Sequence, residues 1–310
     1  MRNLTLPQLQ TLRAIAEAGT LVGAAKALSM TPAALTTRVK GLETGLGVAL
    51  FARTPAGLKL NAAGDIALEA ARAIETSVRA FQEAMQAVRT GQGGRLAVGA
   101  VSTAKYFAPR LIAAFVAERP RLDLRFLIGN RAQTVEALRD FDVEIALTGR
   151  PPADLPVEKV AIGEHPYVII APPGHKLARK RGLRRADLEG APFLLREPGS
   201  GTRSLFEYFL GDAEVRGLSV AMELGSNETI KQAVMAGLGL ALISAHTIAA
   251  EIGDGRLVTL DVAGLPLMRQ WFIVHRSDRP LSPAARAFRD FAAERGKGFL
   301  PALAARRRRP

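Results

Sequence analysis

Apolar residues repeat along this chain in three different rhythms. The first is helical and short. Leu9, Leu12 and Ile15-Ala16 share one face of a helix that Thr5 and Gln8 open as a capping box, with Leu4 and Leu9 placed as a hydrophobic staple and Gly19 as its stop. Thr20 then caps a second helix over Leu21 to Leu28, and Ser29-Met30 makes a turn. Thr31 caps a third helix with Pro32 at its first position, where the missing N–H is no loss. Along it Leu35, Val39 and Leu42 form a narrow apolar stripe, while Thr36, Thr37, Arg38 and Lys40 face the other way with no carboxylate before Glu43. Hydroxyls and cations in front of an apolar back suit a helix laid in a DNA major groove, although an ordinary αα-hairpin has the same periodicity. Turn residues from Pro55 to Gly57 between two extended arms predict a β-wing carrying Arg53 and Lys59.

The second rhythm is a heptad. From Asn61 to Arg89 there is no proline, and Ala67, Ala71, Ile74, Val78, Phe81, Met85 and Val88 follow at steps of 4, 3, 4, 3, 4, 3. A seam held for about three heptads predicts a two-stranded coiled coil, with the strongest contact where the large residues sit, from Ile74 onward.

After the linker Thr90-Gly-Gln-Gly-Gly94 the rhythm changes again, to strands alternating with helices. Strands are predicted at Leu96–Ala100, Leu122–Ile128, Val143–Leu147 and, after Glu164-His165-Pro166, at Tyr167–Ala171. Helices are predicted at Tyr106–Ala117 and Ala132–Arg139. Further strands at Phe193–Leu195, Ser219–Leu224, Leu240–Ile243, Arg256–Leu260 and Gln270–His275 alternate with helices at Thr202–Leu210 and Asn227–Ala236, and Ser282 caps a last helix. This order implies a parallel sheet with crossovers. It also implies two lobes, one α/β unit inserted in another, with crossings near His165 and Pro266. The expected organisation is a DNA-binding part at 1–60, a linker helix at 61–90 and an effector part at 91–310. Within the last, lobe I takes 95–163 and 267–295, lobe II takes 164–266, and a basic tail takes 296–310.

Length and charge sharpen this. A chain of 310 residues with 48% hydrophobic content supports two or three packed units, and a formal charge of +13 points to a polyanionic partner. Without cysteine there is no disulfide framework and no thiolate site. No apolar run approaches the roughly 18 residues of a membrane span, and the N-terminus lacks a signal-peptide pattern, so a soluble, cytoplasmic protein without a membrane partner is expected.

Enzyme chemistry finds little footing. His165, His175, His246 and His275 are scattered without metal spacing and read as turn or surface residues. No nucleophile elbow, Walker loop or dinucleotide fingerprint occurs. No catalytic residue, metal ligand or resident cofactor is expected. Hydroxyl and amide groups do cluster where strands give way to helices, at Ser102-Thr103, Ser200-Gly201-Thr202 and Ser226-Asn227, with Lys105, Arg131, Arg196 and Arg203 expected nearby. Such residues are ordinary N-caps, but the same positions in α/β sheets hold anions. A small anionic effector is therefore expected between the lobes, on Ser102, Thr103, Thr202 and Asn227, with Thr148 lining the cleft and Arg203 as the leading cation.

The residues Ala24-Ala25, Leu28, Thr31, Ala34-Leu35, Leu42-Glu43, Leu46-Gly47 and Leu50-Phe51-x-Arg53 resemble the N-terminal signature of LysR-type transcriptional regulators. Pro32 departs from it, standing where the family usually carries a polar residue such as Gln, and Gly41 weakens the helix by about 1 kcal/mol relative to Ala. The resemblance implies a winged helix-turn-helix, a long linker helix and a two-lobed, periplasmic-binding-protein-like effector domain: an α/β protein with an all-α N-terminal part. It also implies DNA contact through Thr31, Pro32, Ala33, Thr36, Thr37, Arg38, Lys40 and Arg53, and homo-oligomers, dimers or tetramers, joined through the seam Ile74, Val78, Phe81, Met85 and Val88. RNA polymerase is a further candidate partner. Val101 to Phe115, Arg196 to Arg203 and Glu223 to Ser244 resemble the subgroup that regulates Calvin-cycle (RuBisCO) operons. That resemblance implies a phosphorylated metabolite or NADPH as effector. The rival readings are a solute-binding protein with an unrelated N-terminal extension, a regulator of a different operon, and an α/β enzyme. The tail Arg306–Arg309 reads as a disordered charge run, with a basic arm that helps DNA binding as the alternative.

Overall fold

The computed structural model describes residues 4–54, 57–90, 94–211 and 219–302, with backbone alone at 53, 54, 57, 80, 83, 84 and 86–90. The tail Arg306–Arg309 lies outside the described residues. The chain forms two compact units, Met1–Gln92 and Gly93–Pro310.

In the first unit three helices, α1 (Leu6–Ala18), α2 (Leu21–Ala27) and α3 (Pro32–Leu46), are set by local chemistry. The Gln8 amide oxygen accepts from Thr5 N–H at 2.9 Å, and Gly19 stops α1 in the left-handed region at φ 66°. Thr20 and Thr31 accept from Gly23 and Ala34 N–H at 3.1 and 3.2 Å, so each helix start satisfies one otherwise orphaned donor. Ile15, Ala24, Leu35 and Val39 close one small core; Leu9, Leu12, Leu42 and Leu50 close another. Strands β1 (Phe51–Thr54) and β2 (Gly57–Leu60) pair antiparallel as the wing.

Helix α4 (Ala62–Thr90) is continuous over 29 residues. Its start lies so near the wing that a Cβ on Gly64 would fall 2.2 Å from the Leu50 carbonyl oxygen; only glycine fits there. The heptad seam divides along the helix. Ala71 is fully buried against α1's Leu9 and Leu12, and Ala67 packs on the same cluster. Those two small residues therefore serve their own unit, contrary to the expectation of a seam running whole from Ala67. Ile74, Phe81 and Met85, 40%, 64% and 50% exposed, remain uncovered on the single chain, with Val78 half-buried between them. The Val88 side chain lies outside the description.

The second unit is built on a mixed sheet. Strand β3 (Arg95–Val101) runs parallel to β4 (Asp123–Gly129) and β5 (Ile145–Thr148), as crossover helices require. Strand β11 (Leu267–Arg276) joins β5 antiparallel, and β6 (Val157–Ala171) joins β11 antiparallel, so the wholly parallel sheet expected is corrected. β6 was expected only from Tyr167. It runs unbroken for 15 residues through Glu164-His165-Pro166 and carries the chain from one lobe into the other. Beyond Tyr167 it pairs with β9 (Ala241–Ser244) and β10 (Val258–Thr259). β7 (Phe193–Arg196) and β8 (Val220–Leu224) form a separate parallel pair. Ile162 sits in the lobe I core with Phe107, Phe115 and Phe288, while Ile169 sits in the lobe II core with Phe193, Phe206 and Leu240. The helix expected over Tyr106–Ala117 is a 3-10 turn, Ser102–Tyr106, followed by α5 (Ala108–Ala117), whose start is marked by Pro109. Helices α6 (Arg131–Arg139) and α7 (Gly201–Leu210) follow β4 and β7.

Three histidines are not at the surface. His165, His246 and His275 are 0%, 5% and 4% exposed, which corrects their reading as turn or surface residues. His165 stacks on Trp271 with centroids 3.8 Å apart, and Trp271 Nε1 donates to His246 Nδ1 at 3.1 Å. Burial pushes His165 well below the usual imidazole range and His246 down to about 4. Unfolded imidazoles take up protons near pH 6.5. The folded ones refuse them until lower pH, so the native state loses stability as pH falls from about 6.5 towards 4. For His246 the loss by pH 5 is at most about 2 kcal/mol, or about 4–8 °C in melting temperature for a unit of this size. Melting curves between pH 7.5 and 5 should show the decline, and a His246→Gln variant, which keeps an acceptor for Trp271, should flatten it. An unchanged slope in that variant refutes the assignment.

Candidate functional site

In the first unit the site is α3. Its buried stripe, Leu35, Val39 and Leu42, fixes which way the helix turns outward. Thr31, Pro32, Ala33, Thr37 and Lys40 are exposed, while Thr36 and Arg38 flank the buried stripe and are half-buried. The two threonine hydroxyls are not free donors: Thr36 Oγ1 donates to Pro32 O at 2.8 Å and Thr37 Oγ1 to Ala33 O at 3.1 Å. On the wing Lys59 is exposed, and the Arg53 side chain lies outside the description.

In the second unit a cavity of about 730 Å³ opens between the lobes. Lobe I brings Ser102 and Thr103 from the turn after β3, Thr148 from the end of β5, and Asn130 and Arg131 from the start of α6. Lobe II brings Ser200, Gly201 and Thr202 from the start of α7, with Arg196 at the end of β7 beneath them. Two helix N-termini thus meet one space. Asn130 caps α6 by accepting from Gln133 N–H at 2.9 Å, a capping box written in the sequence. Tyr167 lines the wall, its phenol pushed up by burial, and β6 and β11 contribute Lys159, Glu164 and Arg269.

Sequence and structure part company over the cations. Arg203 does not line the cavity. Its guanidinium is taken by Glu207 at 2.7 Å, Glu223 at 2.8 Å and the Arg196 carbonyl at 3.1 Å, so it cannot lead as expected. Asn227 does not line it either; its Oδ1 accepts from Arg196 at 2.6 Å and so supports the wall from behind. Lys105 pairs with Glu228. Arg196 is 3% exposed and held by both oxygens of Glu197, at 2.7 and 2.8 Å. That ion pair already neutralises it. Arg131 differs: it donates only to backbone carbonyls, Arg150 O at 3.3 Å and Pro151 O at 3.5 Å, among the described residues. Burial, then Arg150, lower its pKa, which are the conditions of a cation short of counter-charge. Arg150, Lys159 and Arg269 were missed by sequence reasoning because two long strands and a turn bring them in from distant positions. Among the described residues, cations line the cavity at Arg131, Arg150, Lys159, Arg196 and Arg269 against one lining carboxylate, Glu164.

A winged three-helix head, a long helix and a two-lobed α/β unit with a polar cavity define a DNA-binding transcription regulator. The chain belongs to the LysR family: residues 6–65 match the bacterial regulatory helix-turn-helix proteins of the lysR family, and 89–297 match the LysR substrate binding domain. Along nearly its whole length it is similar to the HTH-type transcriptional regulator CbbR of Sinorhizobium medicae, 48% identical over 98% of this chain and 97% of the relative. It is similar also to the RuBisCO operon transcriptional regulator of Allochromatium vinosum, 39% identical over 93% of this chain and 95% of the relative. Among solved structures, the CcmR regulatory domain of Synechocystis PCC6803 in complex with 2-PG superposes with a TM-score of 0.61 at 30% identity, covering 64% of this chain and 96% of that one. CbnR shares the fold at a TM-score of 0.63 and 21% identity, covering 94% and 99%. Among the described residues no helix is long and apolar enough to cross a membrane.

Proposed function

We propose that this regulator controls carbon-fixation genes from the cytoplasm as a homo-oligomer, in response to a small phosphorylated or carboxylated anion held between its lobes. The observation that carries the effector class is the convergence of two helix N-termini, the hydroxyls of Ser102, Thr103, Thr148 and Thr202, and an excess of cations on one cavity. Aligned N–H groups and hydroxyls satisfy phosphate or carboxylate oxygens, and a guanidinium adds a charge-assisted, bidentate-capable contact. Arg131 takes the part expected of Arg203. The relatives' names support the carbon-fixation reading, and the 2-PG bound by the CcmR domain supports a phosphorylated ligand. A sugar bisphosphate, phosphoenolpyruvate or NADPH belongs to the same anionic class. In the first unit, α3 and the wing meet DNA, with Lys40, Arg38 and Arg53 on phosphates, and the exposed stripe of α4 pairs two chains. RNA polymerase is a further partner on this reading.

Calorimetry on the full chain with 2-phosphoglycolate, phosphoenolpyruvate, a sugar bisphosphate and NADPH tests the effector class. At least one should bind. Thr202→Val and Arg131→Ala should each weaken it about 10- to 100-fold, the range expected on losing a hydrogen bond to a charged group. Arg203→Ala should leave affinity within about twofold. Binding by none, or mutants as tight as wild type, removes the anion-cavity reading.

A further inference from the structure

The first turns of α3, on their outward side, lack the side chains that usually tell bases apart. At 100° per residue, Ala33, Thr37, Lys40 and Thr44 stand opposite the buried stripe of Leu35, Val39 and Leu42, and all four are exposed. A recognition helix offers its first turns to base edges, and here those turns present Pro32, Ala33 and Thr37. There is no Asn, Gln or Arg from Thr31 to Thr37, so the bidentate donors that distinguish adenine and guanine are missing from this stretch.

Thr37 does not replace them. A hydroxyl carries one proton, and that of Thr37 is committed to the Ala33 carbonyl at 3.1 Å, as that of Thr36 is to Pro32 at 2.8 Å. Neither can donate to a phosphate or to a purine N7 without giving up its backbone bond. What Thr37 leaves for a partner is a methyl group and an acceptor lone pair; Ala33 leaves a methyl, and Pro32 a ring of methylenes. The base feature that the methyl and methylene groups complement in the major groove is the thymine C5-methyl, and the Thr37 lone pair adds at most one acceptor for an amino group.

We propose that this helix reads its operator through thymine methyl groups, with Thr37 and Ala33 as the specificity-determining residues and Pro32 as a neighbouring apolar contact. Lys40 and Arg38 hold the backbone in register. The proposal rests on the placement of α3 against DNA. Each buried methyl contributes about fourfold in affinity, so one such contact in each of two half-sites contributes about 15-fold.

The test uses the full chain and operator duplexes, located by footprinting upstream of its gene, in which each thymine is replaced in turn by uracil. That exchange removes the methyl and leaves every hydrogen-bonding group in place. Affinity should fall about fourfold or more at one or two positions per half-site. Thr37→Ser, which removes the protein methyl, should bind the thymine operator correspondingly more weakly and abolish the thymine–uracil difference at one position. Thr37→Val, which keeps the methyl and loses the hydroxyl, should bind within about twofold of wild type. Equal affinity for thymine and uracil at every protected position overturns the proposal, as does a Thr37→Val loss as large as that of Thr37→Ser. Salt titrations of Lys40→Ala and Arg38→Ala separate the two levels, since each lost phosphate contact lowers the slope of log affinity on log salt by about one. Lowered slopes beside equal thymine and uracil affinities refute methyl readout alone; unchanged slopes in both refute the placement of α3 and the proposal with it.

Discussion

Phe81→Glu should separate the protein into single chains and weaken operator binding by at least about a hundredfold. Phe81 is 64% exposed on the single chain, and Ile74 and Met85 extend the same uncovered stripe along α4. An aromatic side chain gains about 1.5–3 kcal/mol when its surface leaves water, and a two-fold seam counts each substitution twice. Glutamate forfeits that gain and adds the penalty of a carboxylate in an apolar seam. A loss of about 4 kcal/mol corresponds to three decades in dissociation constant. Operator affinity falls with it because two linked DNA readers hold adjoining half-sites with an avidity of about 10²–10⁴ that single chains lack. Phe81→Leu, which stays apolar, should remain oligomeric. Sedimentation velocity and gel shifts read both effects. Oligomers of wild-type size in Phe81→Glu, binding DNA as before, would show that other surfaces join the chains.

The second large effect is on stability. Lys231 and Glu251 are 6% and 7% exposed and lie 2.9 Å apart, and Lys231 also donates to the Thr247 carbonyl at 2.9 Å beneath the ring of Tyr106. Lys231→Met leaves the Glu251 carboxylate buried without its counter-charge. Breaking a buried pair from one side costs about 3–5 kcal/mol. At about 2–4 °C per kcal/mol, the melting temperature should drop by about 6–20 °C. The double variant Lys231→Met/Glu251→Leu should recover most of the loss, since an apolar pair of similar volume is often as stable as the ion pair it replaces. Calorimetric melting of the three proteins decides it. A single variant within about 2 °C of wild type, or a double variant as unstable as the single, contradicts this account.

The head was legible because its chemistry is local. Thr5, Gly19, Thr20, Thr31 and Pro32 act within four residues of themselves, and the structure keeps each as cap or first-turn residue. What escaped depends on distant partners. The first half of β6 is masked in the sequence by Glu158-Lys159, Gly163 and Pro166, and it becomes a strand because β11, a hundred residues on, pairs with it from Val157 to Tyr167. His165 and His246 read as surface residues because Trp271, which packs on one and donates to the other, is distant in the chain. In Arg196 to Arg203 the two arginines are chemically alike, and only the surrounding carboxylates assign them: Glu207 and Glu223 draw Arg203 away, while Glu197 and Asn227 hold Arg196 under the cavity. Ala67 and Ala71 fit a heptad, but their small size is what lets α1 approach α4. The cavity hydroxyls Ser102, Thr148 and Thr202 were visible because they follow strands or begin a helix; Lys159 and Arg269 were not, because strand registers put them there.

Strand β6 gives Ile162 to one hydrophobic core and Ile169 to the other, with no break in its backbone between them. Unravelling either lobe strips a strand from its neighbour, so neither can persist as a partly melted remnant. Two cores joined in this way share one unfolding equilibrium. Heat, denaturant or a protease meets the 93–310 unit as a single cooperative body, although ligand meets it as two walls.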